Sequence, residues 1–128
     1  MTPIDFSQVS ILIVDDDELS QSFLEGVLRN IGCQHVLVAS DAQQAIELMQ
    51  RHRPDFVTLD IYMPDVDGWA LLKQIRKISA STRIVMVTGS SMPEDFEKSI
   101  LASADGYCIK PVLPDLMIKA LTSAMNRH

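Results

Sequence analysis

The sequence predicts an α/β fold: five parallel strands in one doubly wound sheet, with helices on both faces to make three layers. Three observations predict it. Five short apolar runs alternate with five stretches in which apolar residues recur every three or four positions. The runs lack the polar alternation of a half-exposed sheet, so both their faces are buried, and helical crossovers between them require parallel pairing of right-handed connection. Aspartate, threonine or lysine directly follows four of the five runs, at the strand ends where ligands sit in such sheets, while the second ends at Ala39-Ser40 and offers nothing ionic.

Met1 to Gln8 reads as a short, partly ordered lead-in. Ser10 to Val14 is the first strand and runs into Asp15-Asp16-Asp17-Glu18. From Leu19 to Ile31 the residues Leu19, Phe23, Leu24, Val27, Leu28 and Ile31 share one helical face, and Gly32 suits its C-terminal stop. His35 to Ala39 is the second strand. Ser40 or Asp41 caps the next helix, which carries Ala42, Ala45, Ile46 and Met49 on one side. Arg53-Pro54-Asp55 ends it and leads into the third strand, Phe56 to Leu59, followed by Asp60 and a Pro/Asp/Gly turn. Trp69, Leu72, Ile75 and Ile78 mark the third helix. Ile84 to Val87 is the fourth strand and stops at Thr88-Gly89-Ser90-Ser91. Pro93 fits the first turn of a fourth helix containing Phe96, Ile100 and Leu101. Tyr107 to Ile109 is the fifth strand, ending at Lys110-Pro111. Pro114 opens the last helix, with Leu116, Met117, Ala120, Leu121 and Ala124.

These elements make a single domain over residues 1–128, with its core at about 9–126. A net charge of −6 argues against a nucleic-acid-binding surface, which wants a basic stripe. Nothing resembles a signal peptide, and no apolar run approaches the ~20 residues of a spanning helix, so the expectation is a soluble, cytoplasmic protein with no membrane partner. Cys33 and Cys108 form neither a CxxC pair nor a disulfide framework and read as small buried or half-buried hydrophobes. His35, His52 and His128 lack ligand-like spacing.

The strand ends bring together Asp15, Asp16 and Asp17 from the first strand, Asp60 from the third, Thr88 from the fourth and Lys110 from the fifth. Two carboxylates ~4 Å apart repel by about 4 kcal/mol at an effective dielectric near 20. Such a cluster takes up a proton, binds a cation or is arranged for chemistry. Its donors are all hard oxygens, which favours Mg²⁺ (or Mn²⁺) over zinc. Asp60 then reads as a nucleophile toward a phosphoryl group, with Lys110 and Thr88 as partners for phosphoryl oxygens and Gly89 leaving room. Residue by residue a plainer reading stands beside this: Asp60 caps a loop, Lys110 forms a salt bridge, Thr88 caps a helix.

Four segments carry a resemblance: Ile-Leu-Ile-Val-Asp-Asp at 11–16, Asp-Ile-Tyr-Met-Pro-Asp-Val-Asp-Gly at 60–68, Val-Met-Val-Thr-Gly at 85–89 and Gly-Tyr-Cys-Ile-Lys-Pro at 106–111. In order and spacing the chain resembles the receiver (phosphoacceptor) domains of two-component response regulators, over nearly its whole length. The likeness carries with it the strand order 2-1-3-4-5 known for the family's chemotaxis member, and hence a flavodoxin-like fold. It implies that Asp60 is phosphorylated by a histidine kinase or phosphotransfer protein. It further implies that Asp16 ligates the metal directly, Asp15 mainly through water, and Asp60 and the Tyr62 carbonyl complete the set. Asp17 becomes a bystander at the first helix, and the Lys110–Pro111 bond is expected to be cis. Thr88 and Tyr107 match the family's switch pair, through which phosphorylation biases a surface made by the fourth helix, fifth strand and fifth helix. That surface would control a partner or a fused output domain, from a monomer or a weak phosphorylation-dependent dimer. The chain would be a signalling phosphoacceptor rather than an enzyme, catalysing only its own phosphoryl transfer and dephosphorylation.

Three departures stand out. Val112 replaces the aromatic that commonly follows the Lys-Pro pair, and Ser103 occupies a position often held by glycine. Tyr62 and Ser90 lie where the family tunes hydrolysis, and a bulky Tyr62 leads to an expectation of slow self-dephosphorylation. Rival readings fare worse. A haloacid-dehalogenase-type phosphatase wants a second acid where Tyr62 stands, and a flavin carrier wants a Gly/Ser/Thr-rich phosphate loop where Asp15-Asp16-Asp17-Glu18 would repel phosphate. The intact acids, Thr88 and Lys110 speak against a degenerate receiver acting only as a scaffold. No output domain is expected after Asn126-Arg127-His128.

Overall fold

The computed structural model of the chain describes residues 4–64 and 66–127; the first three residues of the lead-in, Asp65 of the turn and His128 lie outside the described residues. Strands β1 (Ser10–Val14), β2 (His35–Ala39), β3 (Phe56–Leu59), β4 (Arg83–Thr88) and β5 (Gly106–Ile109) form one sheet, every neighbouring pair parallel, in the order β2-β1-β3-β4-β5. This is the expected order 2-1-3-4-5. Helices α1 (Glu18–Asn30), α2 (Ala42–His52), α3 (Gly68–Ile78), α4 (Pro93–Leu101) and α5 (Pro114–Met125) provide the crossovers and the closing element, and Phe6–Gln8 forms a 3₁₀ turn. The stretch read as a plain turn also holds a short antiparallel hairpin, Tyr62–Met63 against Val66–Asp67, separate from the main sheet.

Alternate residues of each strand feed two cores, because strand side chains point to opposite faces. Leu12, Val14, Val57, Leu59, Ile84 and Met86 pack with Ala45 and Met49 of α2 and Leu71, Leu72 and Ile75 of α3. Ile11, Ile13, Phe56, Val85 and Val87 pack with Leu24, Val27 and Leu28 of α1 and Met117, Leu121 and Ala124 of α5. Asp17, Asp41 and Asp67 accept backbone N–H bonds at the starts of α1, α2 and α3, while α4 and α5 begin with proline and have no side-chain cap. Gly32 ends α1 at φ 110°, as its position suggests.

The apolar residues of helix α4 turn outward. Phe96, Ile100 and Leu101 are 49%, 52% and 86% exposed, and the buried residues of the helix are Asp95 and Ser99. The physical reason is that the polar side has partners: Asp95 Oδ2 accepts hydrogen bonds from the Tyr62 and Ser90 hydroxyls, both at 2.6 Å. Leu19 and Phe23 of α1 and Leu116 of α5 are likewise exposed, leaving Leu24, Val27 and Leu28, and Met117, Leu121 and Ala124, as the inward residues of those helices.

The α4 C-terminus closes as a Schellman turn: Ala104 N donates to Ser99 O and Ser103 N to Ile100 O. Ser103 sits in the left-handed region at φ 65°, where a Cβ is unfavourable. Ser103→Gly therefore raises stability by about 0.5–1 kcal/mol, the relief of that crowding less the entropy glycine loses on folding. A melting temperature about 2–4 °C higher is the expected readout. At the rim opposite the site, Arg76 of α3 donates to the Thr82 carbonyl, to Ser103 O at 2.9 Å and to Asp105 Oδ2 at 2.6 Å, fixing the entries to β4 and β5.

Candidate functional site

The parallel ladder continues one residue past the strands and delivers the site. Asp15 N donates to Ala39 O (3.1 Å), Asp60 N to Val14 O (3.1 Å) and Lys110 N to Thr88 O (2.8 Å). Asp15, Asp60, Thr88 and Lys110 thus stand at consecutive positions along the carboxyl edge of β1, β3, β4 and β5. The lysine is long enough to cross that edge: its Nζ lies 2.7 Å from Asp15 Oδ2 and 2.8 Å from Asp60 Oδ2. The Lys110–Pro111 bond is cis.

Both carboxylates are buried, Asp15 at 1% and Asp60 at 7% exposure, which is tolerable because each is paired. Asp15 is the more fully satisfied: Oδ2 also accepts from Ser20 Oγ at 2.6 Å and Oδ1 from Asp17 N at 3.0 Å, while Gln21 donates to its carbonyl. Asp60 accepts only from Tyr62 N (3.1 Å, on Oδ1) besides Lys110. It alone of the two lines the open pocket of about 620 Å³ formed with Tyr62, Thr88, Gly89, Ser90, Ser91, Met92 and Lys110. Burial by itself lowers the pKa of the Lys110 ammonium, but its hydrogen bonds to Asp15 and Asp60 and their charge outweigh that and hold it above the ordinary value.

The remaining expected residues divide. Thr88 is fully buried and its Oγ1 accepts from Ser90 N at 3.3 Å. Tyr107 is half-buried, its hydroxyl donates to Ser90 O at 3.0 Å and its ring meets Phe96 edge-on at 5.6 Å. Asp16 is exposed, at the bend between β1 and α1. Among the described residues no group of three or more carboxylate, imidazole or thiol side chains is gathered as a cation cage; the expected trio is present as the Asp15–Asp60 pair bridged by Lys110. Gly89 lines the pocket, and a Cβ there would touch nothing within 4 Å and so stand in open space.

Sequence reasoning missed three contributors. Ser20 and Gln21 hold Asp15 from the first turn of α1, and their hydroxyl and amide next to an acid run were the available signal. Asp95 binds Tyr62 across 33 positions of sequence, and no local pattern announces that. The Ser90 and Tyr62 hydroxyls hold the Asp95 carboxyl below its ordinary pKa, and the same bond pushes the Tyr62 phenol up.

Gly68 closes the site from behind. A Cβ there would lie 2.8 Å from Ile61 Cα and Ile61 O and 3.0 Å from Asp60 O, all backbone atoms of the loop carrying Asp60. Gly68→Ala must push that loop away, and the overpacking costs about 2–3 kcal/mol. The expected results are a melting temperature lower by roughly 8–11 °C and altered amide resonances at Asp60 and Ile61; unchanged values would contradict the close approach.

The sequence matches the family model described as "Response regulator receiver domain" over residues 11–122. The chain belongs to that family. It is 34% identical over 116 residues to the "Chemotaxis protein CheY" of Bacillus subtilis (strain 168), covering 91% of this chain and 97% of that one. It is 35% identical over 117 residues to the "Probable transcriptional regulator ycf27" of Guillardia theta, covering 91% of this chain and 45% of the relative. Among solved structures it superposes with a two-component response regulator from Clostridium difficile at a TM-score of 0.84, with 28% identity, 94% of this chain and 98% of that chain covered. Receiver domains are signalling phosphoacceptors of two-component systems and generally not classical enzymes. They work with histidine kinases and output domains and bind Mg²⁺ at their acidic pocket. This receiver's donor set suits such a hard cation, since Asp15 and Asp60 offer carboxylate oxygens at one edge and no thiol or imidazole is among the described residues lining the pocket. None of its described helices is long and apolar enough to cross a membrane.

Proposed function

We propose that Asp60 accepts a phosphoryl group from a phosphohistidine donor, carried by a histidine kinase or a phosphotransfer protein. The observation that carries this reading is the buried Asp60 carboxylate, facing an open pocket with the Lys110 ammonium 2.8 Å away. A carboxylate oxygen of Asp60 bonds to phosphorus as the P–N bond breaks and the imidazole nitrogen keeps its electron pair. The Lys110 ammonium and the Thr88 hydroxyl donate to phosphoryl oxygens. Asp15, Asp16, Asp60 and the Tyr62 carbonyl would hold Mg²⁺ (or Mn²⁺), which when bound neutralises charge on the transferring group.

Thr88 and Tyr107 act as the switch pair, linked here through Ser90, whose N–H reaches Thr88 and whose carbonyl takes Tyr107. Output leaves through α4, β5 and α5, where Phe96, Ile100, Ile109 and Leu116 form an exposed apolar face suited to a protein partner or a fused output domain. The receiver works in the cytoplasm as a monomer or weak phosphorylation-dependent dimer, without touching nucleic acid itself. Acetyl phosphate or beryllofluoride with Mg²⁺ tests the reading. Intact mass should show one group per chain, and borohydride trapping with peptide mapping should locate the phosphoryl on Asp60. No uptake, or uptake elsewhere, overturns it.

A further inference from the structure

Two residues on the pocket wall, Tyr62 from the loop after β3 and Ser90 from the loop after β4, send their hydroxyls to one oxygen. That oxygen is Asp95 Oδ2, 2.6 Å from each. Asp95 is 8% exposed although it lies on a helix whose apolar residues Phe96, Ile100 and Leu101 face solvent. An inward acid on an outward-facing apolar helix calls for a reason, and the reason in the structure is the pair of hydroxyls it gathers. The Tyr62 ring is otherwise weakly held, 59% exposed at the mouth of the pocket, and its main chain is tied to Asp60 through Tyr62 N. Nearby, Lys98, one turn along α4 from Asp95, lies 5.0 Å from the centre of the Trp69 ring on α3. One edge of α4 is therefore fastened to the elements that follow the phosphoacceptor strand.

We propose that Asp95 is a positioning residue of the phosphoacceptor site: by accepting the Tyr62 and Ser90 hydroxyls it holds the α4-side wall of the pocket in place and so limits the approach of water to phosphorylated Asp60. This rests on the phosphoacceptor reading of Asp60. In hydrolysis a water oxygen bonds to phosphorus, the P–O bond to Asp60 breaks, the carboxylate departs with its electron pair, and the water protons remain on inorganic phosphate. A wall fixed from α4 slows that approach. It also gives a partner docked on the apolar face of α4 a route to the lifetime of the phosphoryl group, one that shares Ser90 with the link between Thr88 and Tyr107.

The test follows loss of the phosphoryl group after removal of acetyl phosphate, in Mg²⁺ buffer, for wild type, Tyr62→Phe, Asp95→Ala, the double variant and Asp95→Asn. Tyr62→Phe should lose it about fivefold faster, the effect of one hydrogen bond on a rate, and Asp95→Ala, which removes the Ser90 bond as well, at least as fast. The double variant should be no faster than the faster single, because both remove the same contact. Asp95→Asn keeps an acceptor oxygen and should restore slow loss, which a purely structural role for the charge would not do. Tyr62→Phe removes a single oxygen from an exposed side chain, so its result stands even where Asp95→Ala folds poorly. Unchanged single variants, additive rates in the double, or Asp95→Asn as fast as Asp95→Ala overturns the role of Asp95 while leaving Asp60 as phosphoacceptor. A wild type that takes up no phosphoryl group overturns both.

Discussion

Asp60→Ala takes up no phosphoryl group from acetyl phosphate, while the fold survives. The loss is complete because the nucleophile is gone and, among the described residues, no other carboxylate lines the pocket: Asp15 is turned to Ser20, the Asp17 N–H and Lys110. Stability changes little for a reason visible in the geometry. Lys110 keeps Asp15 at 2.7 Å, so removing Asp60 leaves no unpaired charge, and the lost bond to Tyr62 N costs about 1 kcal/mol. Intact mass and a melting curve in parallel are the measurements. Uptake by the variant equal to wild type would show that the modified residue lies elsewhere.

Lys110→Ala has the opposite balance, with a large effect on both chemistry and stability. The ammonium is the nearest fixed positive charge to Asp60, and deleting a preorganised donor of that kind slows transfer by about 10²–10³-fold. It also leaves Asp15 and Asp60 buried beside each other without their shared cation. A buried pair broken by removal of one partner costs about 3 kcal/mol, or roughly 10 °C in melting temperature. Mg²⁺ should then raise the melting temperature of the variant by more than that of wild type, since a divalent ion can take the place of the missing charge between the two acids. Phosphorylation rates from acetyl phosphate, with thermal melts with and without Mg²⁺, check both halves. A variant as fast and as stable as wild type would mean that the 2.7 and 2.8 Å contacts do nothing in solution.

The three central strands were legible because burial on both faces leaves a simple mark, four to six apolar or β-branched residues bounded by turn formers, as in Ile84 to Val87 before Thr88-Gly89; the edge strands β2 and β5 carry the same mark although they are only partly buried. Their ends named Asp15, Asp60, Thr88 and Lys110 for the same reason, since a parallel sheet brings all its carboxyl ends to one edge. The orientation of α4 was not legible. Periodicity identifies an apolar stripe but not which way it turns, and here it turns outward while Asp95 on the other side takes the hydroxyls of Tyr62, 33 positions away, and of nearby Ser90. Leu19 and Phe23 misled similarly, continuing the α1 stripe one turn beyond the sheet. The resemblance made Asp16 the direct ligand and Asp15 the indirect one, and no local pattern shows that Asp16 lies exposed at the bend after β1 while Asp15 is buried.

By itself the sequence determined the βα alternation, the edge at which the ionisable residues meet, and the all-oxygen character of that edge, because each follows from local periodicity and side-chain chemistry. Only the tertiary structure decided that Lys110 serves Asp15 and Asp60 together, that Asp60 rather than Asp15 opens onto the pocket, and that Asp95 gathers the pocket wall. Those three depend on where side chains 33 to 95 positions apart come to rest. Contacts at that separation are fixed by packing of the whole sheet and its helices, and no local propensity encodes them.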